Sequence, residues 1–225
     1  MSENIRVAID GPSGAGKSTL ARSVAARLNF LYVDTGAIYR TIGYAVWRKG
    51  IDPRDRSAVV AVLPDREICL TYGTDGLQHM ELNGMDVTAE IRLPEVSRYA
   101  SLVSAYPEVR AYLLEMQRQL ARENSVVMDG RDIGTVVLPN ARVKIFLTAS
   151  AEERARRRYK EMLEKGENAD YDEVLKDIKQ RDYQDSHREI APLVPAKDSI
   201  LVDTTEDDLE QAVQKMLLVI KERLQ

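Results

Sequence analysis

The fold of this chain is decided near its start, where an apolar stretch leads directly into a glycine-rich loop, Ile5-Arg-Val-Ala-Ile-Asp-Gly-Pro-Ser-Gly-Ala-Gly-Lys-Ser18. The apolar residues predict a strand, and the residues from Lys17 onward predict a helix. The spacing G-x-x-x-x-G-K-[ST] between them is that of a P-loop. In that arrangement the loop N–H groups and the helix N-terminus face the phosphates of a nucleotide.

Different residues of the loop are expected to bind different parts of a nucleoside triphosphate and its metal ion. The residues predicted to bind ATP are Gly11, Pro12, Ser13, Gly14, Ala15, Gly16, Lys17, Ser18 and Thr19. We expect Lys17 to place a positive charge near the β- and γ-phosphates and the Ser18 hydroxyl to ligate Mg²⁺. The alternative, an ordinary glycine-rich turn, is disfavoured because a strand and a helix flank the loop as the motif requires.

Composition limits the class of protein. The 225 residues suit one domain, with or without insertions, and the net charge of −4 argues against a general nucleic-acid binder. Arginine (22) outnumbers lysine (10), which fits bidentate binding of phosphate. Genomic base composition explains the same bias equally well.

The single cysteine and the hydropathy pattern add further expectations. Because Cys69 is the only cysteine, an intramolecular disulfide and a zinc site built on cysteine pairs are excluded. The apolar residues around Cys69 predict a buried, inert thiol. The sequence shows no signal-peptide pattern and no apolar run of 18 residues. We therefore expect a cytoplasmic protein without a membrane partner.

Strands and helices alternate along most of the chain. Strands are predicted near 5–9, 30–33, 126–128, 143–147 and 199–202, and helices near 17–28, 37–49, 94–123 (broken before Pro107), 151–165, 171–185 and 206–224. Two short β-like runs, 68–72 and 79–82, predict a small antiparallel insertion. The alternation predicts an α/β, three-layer P-loop fold, with a mostly parallel sheet and helices on both faces.

Polar clusters follow three of the predicted strands. They are Asp10-Gly11, Asp34-Thr35-Gly36 and Asp129-Gly130-Arg131-Asp132. Because ligands bind at the carboxyl ends of the strands in such sheets, we expect these clusters to surround one cleft.

The cluster after the second strand suits an acceptor phosphate. Thr35 can donate its hydroxyl and Arg40 can clamp the phosphate through two N–H groups. The alternative is a helix N-cap at Thr35 with a solvated Arg40. Asp-Thr-Gly also occurs in aspartic proteases, but their paired carboxylates need a β fold.

The third cluster resembles a Walker-B position. Asp129, at the end of an apolar strand, would orient Mg²⁺ or its waters, and Arg131 would bridge donor and acceptor phosphates. The alternative is a surface Arg–Asp pair of little energetic weight.

Two later segments are rich in charge. Arg154, Arg156, Arg157 and Arg158 crowd one predicted helix, which suits a lid that closes on the triphosphate. A solvated face balanced by Glu152 and Glu153 is the alternative. Arg181, Asp185 and Arg188 share a helical face. This spacing fits nucleoside recognition and an ordinary i, i+4 ion pair equally well.

These features favour a kinase with a small acceptor. The guanine-reading run Asn-Lys-x-Asp of switch GTPases does not occur. Kinases acting on AMP, UMP, dTMP or shikimate remain alternatives, as does a nucleotide-sensing module without a transfer step.

The ordered motifs resemble those of the bacterial cytidylate (CMP) kinase family over nearly the whole chain. They are Ile9–Ser18, Asp34–Arg40, Asp129–Gly134, Val143–Leu147, Arg181-Asp182 and Ala191–Pro195. The resemblance implies ATP-dependent, Mg²⁺-assisted phosphorylation of CMP and dCMP to CDP and dCDP, by a monomer without a nucleic-acid partner. It also implies a core over residues 1–60, 103–150 and 190–225, an acceptor-binding insertion over 61–102 and a lid over 151–170.

The resemblance assigns roles residue by residue. Thr35, Arg40 and Arg131 would hold the CMP phosphate, Arg181 and Asp185 would contact the ribose, and Ser101, Arg110, Asp132 and Arg188 would surround cytosine. Many relatives have serine at the position of Thr35, which preserves the hydroxyl, and Thr19 shares with Ser18 the expectation of ligating Mg²⁺. Because the transfer is in-line and needs no nucleophilic side chain, Lys17, Asp129, Arg131 and Arg157 are the expected catalytic residues.

Overall fold

The computed structural model describes residues 4–74 and 76–225. The chain forms two compact units. The first unit comprises the residues up to Tyr32 and from Ala121 onward, and the second comprises Val33–Leu120.

The elements alternate as the sequence predicts for most of the chain. In chain order they are β1 (Arg6–Asp10), α1 (Lys17–Leu28), β2 (Leu31–Asp34), α2 (Thr35–Arg48), α3 (Arg56–Val62), β3 (Ile68–Tyr72), β4 (Gln78–Leu82), β5 (Met85–Asp86), α4 (Pro94–Val103), α5 (Pro107–Glu123), β6 (Val126–Gly130), β7 (Val143–Thr148), α6 (Ala151–Glu164), α7 (Tyr171–His187), β8 (Ile200–Asp203) and α8 (Leu209–Leu224). Short 3₁₀ turns lie at Leu63–Asp65 and Glu90–Arg92, and a π-helical turn lies at Ile133–Val137.

A five-stranded sheet organises the first unit, in the order β2-β6-β1-β7-β8. The pairings of β6 with β1, β1 with β7 and β7 with β8 are parallel. The central strand β1 is apolar because both its faces are covered, and Val7, Ala8 and Ile9 are fully buried. The α/β fold with a mostly parallel sheet is confirmed.

Helices α1 and α8 cover this sheet with one continuous apolar cluster. Leu20 and Val24 of α1 pack in the same cluster as Met216 and Ile220 of α8 and Ile145 of β7. The core therefore fixes the strand ends from which the polar loops emerge.

The second unit combines helices with a small antiparallel sheet, β3-β4-β5. Ile68 pairs with Leu82 across the β3–β4 ladder, which confirms the predicted antiparallel insertion. Helices α2 and α4 pack closely where Gly43 faces Ala100, because a Cβ at Gly43 would lie 2.7 Å from the Ala100 nitrogen.

Several predicted boundaries were wrong. Helix α7 continues to His187, two residues beyond its predicted end, whereas the predicted break before Pro107 is confirmed by the separate helices α4 and α5. Helix α8 begins three residues later than predicted, because Asp208 and Gln211 form a capping box there. The sequence reading missed α3 and the π-helical turn, which are too short to give a periodic signal.

Two further observations concern exposure. Cys69 is a free thiol but only half-buried, unlike the buried thiol predicted, because the strand that carries it lies in the small three-stranded sheet. In the part of the chain that the structure describes, every helix is too short or too polar to cross a membrane.

Candidate active site

The glycine-rich loop joins β1 to α1 in the first unit. Gly11 lies against β7 so closely that a Cβ would stand 2.0 Å from the Leu147 carbonyl oxygen. Gly16 has a φ of +81°, in the left-handed region that favours glycine, and it caps α1. The loop and the first turn of α1 contain all nine predicted ATP-binding residues.

Lys17 folds back over this loop. Its Nζ donates to the Pro12 carbonyl oxygen at 2.7 Å, and the residue is buried. Burial and, to a smaller extent, the Arg131 guanidinium lower the pKa of Lys17 to about 7, although Asp129 opposes the shift. An arriving phosphate would supply the opposite charge that favours the ammonium form.

Ser18 and Asp129 lie side by side at the start of α1 and the end of β6. Ser18 Oγ donates to Asp129 Oδ2 at 3.0 Å, and Tyr32 Oη donates to Asp129 Oδ1 at 3.0 Å. No group of three or more acidic, histidine or cysteine ligands occurs among the described residues. A hydroxyl and one carboxylate nevertheless fit Mg²⁺, which takes one or two protein oxygens and completes its shell with phosphates and water.

Arg131, in the loop after β6, pairs with α7. Its Nε donates to Asp185 Oδ2 at 2.7 Å, and Arg188 Nη1 lies 3.9 Å from Asp185 Oδ1. Burial lowers the pKa of Arg181 and the neighbouring Arg131 adds to the shift, while Asp185 opposes it. The structure thus brings together Arg131, Arg181, Asp185 and Arg188, four of the residues predicted to bind the acceptor. The Arg131–Asp185 ion pair is mostly buried, unlike the surface pair that was the alternative.

The predicted lid arginines on α6 have different surroundings. Arg154 is buried, donates to the Ser13 carbonyl oxygen at 3.0 Å, and forms two hydrogen bonds with Asp182, at 3.0 and 2.7 Å. Arg157 donates to Glu153 and to the Thr204 carbonyl oxygen. Arg154 is therefore the α6 arginine that contacts the P-loop directly here.

In the second unit, Asp34 organises the start of α2. Its carboxylate accepts from the Ala37 nitrogen at 2.9 Å and from Arg40 Nη2 at 2.9 Å, and Arg92 Nη2 lies 3.2 Å away. Burial acts to raise the pKa of Asp34, but Arg40 and Arg92 outweigh it and the pKa is lowered. The alternative of an N-cap at Thr35 with a solvated Arg40 was wrong, because Asp34 is the cap and also pairs with Arg40.

Ser101 and Arg110 also lie in the second unit. Arg110 is buried, its Nη1 donates to the Ser104 carbonyl oxygen at 3.2 Å, and its Cζ stands 5.4 Å from the centre of the Tyr39 ring. Ser101 is half-buried, and its carbonyl oxygen accepts from Ser104 Oγ. The buried guanidinium is fixed on two sides, as a group that reads a polar ligand must be.

Sequence reasoning missed Gln78 and Arg92 altogether. It named Asp10, Arg154 and Asp182 only as parts of longer motifs, without the partners that the structure gives them. Gln78 is an example: its side chain accepts from the Asp34 nitrogen at 2.8 Å and donates to the Asp34 oxygen at 3.1 Å. A partner 44 residues away leaves no periodic or motif signal.

Known proteins resemble this chain over nearly its whole length. The sequence model of the family described as cytidylate kinase matches residues 7–222. A cytidylate kinase from Caldicellulosiruptor bescii is 50% identical over 96% of this chain and 95% of its own length. One from Leuconostoc mesenteroides is 49% identical over 98% of each chain.

The fold recurs at low sequence identity. The crystal structure of an uncharacterized protein from Eubacterium ventriosum superposes with a TM-score of 0.55 at 12% identity, over 97% of this chain and 99% of that one. The family match and the two relatives, together with the P-loop geometry, show that the chain belongs to the cytidylate kinase family.

Proposed function

We propose that this protein transfers the γ-phosphoryl group of ATP to CMP, forming ADP and CDP, and that it accepts dCMP in the same way. The observation that carries the proposal is the family match over residues 7–222, in a chain whose P-loop sets Lys17 and Ser18 beside Asp129. A phosphoryl donor and a pyrimidine nucleotide acceptor are what that family name describes.

The reaction needs positioned charge rather than a covalent intermediate. An oxygen of the CMP phosphate attacks the γ-phosphorus, the bond to the β,γ-bridging oxygen breaks, and its electrons remain on ADP. Catalysis of such a transfer is positioning and electrostatic stabilisation. Lys17 would stabilise charge on the β- and γ-phosphates, and Arg131 and Arg157 would stabilise charge on the transferred group.

Mg²⁺ fits the part of the site that is predicted to bind ATP, the phosphoryl donor. Ser18 and Asp129 would hold the ion directly or through its waters, with Thr19 as the alternative hydroxyl, and the bound ion would neutralise charge on the triphosphate. The P-loop residues Gly11–Gly16 would contribute backbone N–H groups to the same phosphates.

The acceptor roles follow those that the family resemblance implies. Thr35, Arg40 and Arg131 would bind the CMP phosphate, and Arg181 and Asp185 the ribose. Ser101, Arg110, Asp132 and Arg188 would bind cytosine, which differs from uracil in its N4 amino donor and its N3 acceptor. A fully paired polar site rejects the wrong base by about 10⁴-fold, since buried groups would lose their partners.

Residue contacts favour some of these assignments on physical grounds. Arg40 is held by Asp34, and Arg131 by Asp185, so each guanidinium is oriented before a phosphate arrives. Pre-ordered donors lose less conformational entropy on binding. We propose that the protein acts as a cytoplasmic monomer on free nucleotides, with residues 151–170 as its lid.

An acceptor screen tests the proposal. ADP formation from MgATP would be measured with CMP, dCMP, UMP, AMP, dTMP and shikimate supplied separately. Turnover confined to CMP and dCMP is the expected result. Turnover with another acceptor would refute the cytosine assignments, and no acceptor-dependent turnover would refute the kinase function.

A further inference from the structure

Asp10 lies at the point where β1 passes into the P-loop, and none of the roles above involves it. Its carboxylate is almost fully buried, at 4% exposure. Oδ1 accepts from the Ile133 nitrogen and Oδ2 from the Gly134 nitrogen, both at 2.7 Å. One carboxylate thus binds two consecutive backbone amides that lie 123 and 124 residues away in sequence.

The segment held by Asp10 begins the π-helical turn that follows Arg131 and Asp132. Inside this turn the nitrogens of Val136 and Val137 donate to the Asp132 oxygen, and the Leu138 nitrogen donates to the Ile133 oxygen. The first two amides of the turn point instead toward Asp10. Buried amides need an acceptor, so Asp10 supplies what the turn itself does not.

Close packing fixes this contact from the opposite side. A Cβ at Gly134 would lie 3.3 Å from Asp10 Oδ2 and 3.3 Å from Lys144 Cδ. Lys144 is itself held, because its Nζ donates to the Pro139 oxygen at 2.6 Å and to Asp198 at 2.9 Å. The turn is confined between Asp10 and Lys144, and a methyl group at Gly134 would require one of these side chains to move by a few tenths of an ångström.

The contact connects two parts of the proposed reaction site. Gly11, directly after Asp10, starts the P-loop, whereas Arg131, two residues before Ile133, reaches Asp185 of α7. Burial is the main cause that raises the pKa of Asp10, the two backbone amides oppose the rise, and Asp132 adds to it.

We infer that Asp10 is a positioning residue for phosphoryl transfer: its carboxylate holds the segment carrying Arg131 and Asp132 in register with the P-loop. The inference rests on the proposed function and extends it. Asp10 acts through the backbone of Ile133 and Gly134 and does not need to touch a nucleotide.

The test uses Asp10→Asn, which keeps the shape but sets an NH₂ group against one of the two amides. The kcat should fall by about tenfold or more, and the KM for CMP should rise by about fivefold, because small displacements of catalytic groups have large effects on rate. The Kd for ATP, measured by calorimetry without CMP, should stay within about twofold of wild type, since the P-loop itself is unchanged.

A second variant approaches the same contact from its other partner. Gly134→Ala pushes a methyl group toward Asp10 Oδ2 and should show the same pattern at about a third of the size. It keeps the inference testable if Asp10→Asn does not fold. The matched control is Asp198→Asn, which alters the Lys144 side of the turn but leaves Asp10 and both amides intact, and its kcat should stay within about twofold.

The outcomes separate the two claims. Wild-type kcat and KM for CMP in both Asp10→Asn and Gly134→Ala would overturn the positioning role while leaving the proposed function intact. An equal loss of ATP and CMP affinity would also overturn it, because it would place the effect in the P-loop or in general stability. Absence of CMP-dependent turnover in the wild-type protein would refute the proposed function itself.

Discussion

Arg131 and Asp185 form an ion pair at 2.7 Å between the loop after β6 and helix α7. Both side chains are mostly buried, and Arg188 approaches the other oxygen of the same carboxylate. Asp185 therefore holds two guanidiniums in fixed places, one assigned to the acceptor phosphate and the other to the base.

The first prediction concerns that carboxylate. Asp185→Asn should raise the KM for CMP by about tenfold or more while the KM for ATP changes little, because the released arginines are those assigned to CMP. Steady-state kinetics with each substrate varied in turn would measure it. Asp207→Asn, which removes an ion pair with Lys215, is the matched control, and equal effects of Asp185→Asn on both substrates would contradict the assignment.

Lys17→Ala tests the P-loop. Its kcat should fall by about 10²- to 10³-fold, because the developing phosphate charge loses a buried cation. Thermal stability should change little, since the substitution also removes the cost of burying an ammonium group whose pKa is already lowered to about 7. Lys179→Ala, an exposed position, is the control. Near-normal turnover of Lys17→Ala would contradict the P-loop interpretation.

Arg188→Met separates base recognition from donor binding. Arg188 lies at the end of α7, where its Nε donates to the Ala191 oxygen at 2.6 Å. We expect the CMP requirement to rise by about tenfold or more and discrimination against UMP to weaken, because a polar base edge would lose its charged partner. Similar changes in the CMP and ATP requirements would remove Arg188 from the base site.

The pH dependence of stability tests the burial of Asp10. Burial raises the pKa of Asp10 from 3.8 to about 6. A carboxyl with a higher pKa in the folded state contributes stability that is fully present below pH 3.8 and is lost as pH rises through 6. The free energy of unfolding of the wild type relative to Asp10→Asn should therefore increase by about 1 kcal/mol from pH 7.5 to pH 5.

Urea denaturation at the two pH values would measure this difference. Asp198→Asn is the control. The hydrogen bond with Lys144 lowers the pKa of Asp198, so Asp198 does not titrate between pH 5 and pH 7.5 and this variant should not change the pH dependence. A wild-type advantage over Asp10→Asn that stays constant or shrinks toward pH 5 would show that Asp10 does not have a raised pKa.

Local signals account for what the sequence predicts well. Helix α1 was predicted at its observed bounds, Lys17–Leu28, because a P-loop glycine precedes it and Leu20 and Val24 repeat at helical spacing. The alternation of strands and helices predicts the parallel sheet for the same reason. These features depend on residues within one or two turns of each other.

Long-range pairs account for what the sequence does not show. Asp10 binds amides more than 120 residues away, and Arg154 reaches both Ser13 and Asp182. Arg92 joins Asp34 across 58 residues, and no motif marks it. Such contacts exist only once the fold has brought the residues together. The roles assigned to individual site residues remain predictions to be tested by the variants above.

Product analysis tests the central claim most directly. Purified protein would be incubated with MgATP and CMP, and all four nucleotides would be separated and quantified over time, with Lys17→Ala as the inactive reference. The account predicts that CDP and ADP appear in equal amounts at the expense of CMP and ATP. ADP without matching CDP, or no consumption of CMP at all, would contradict it.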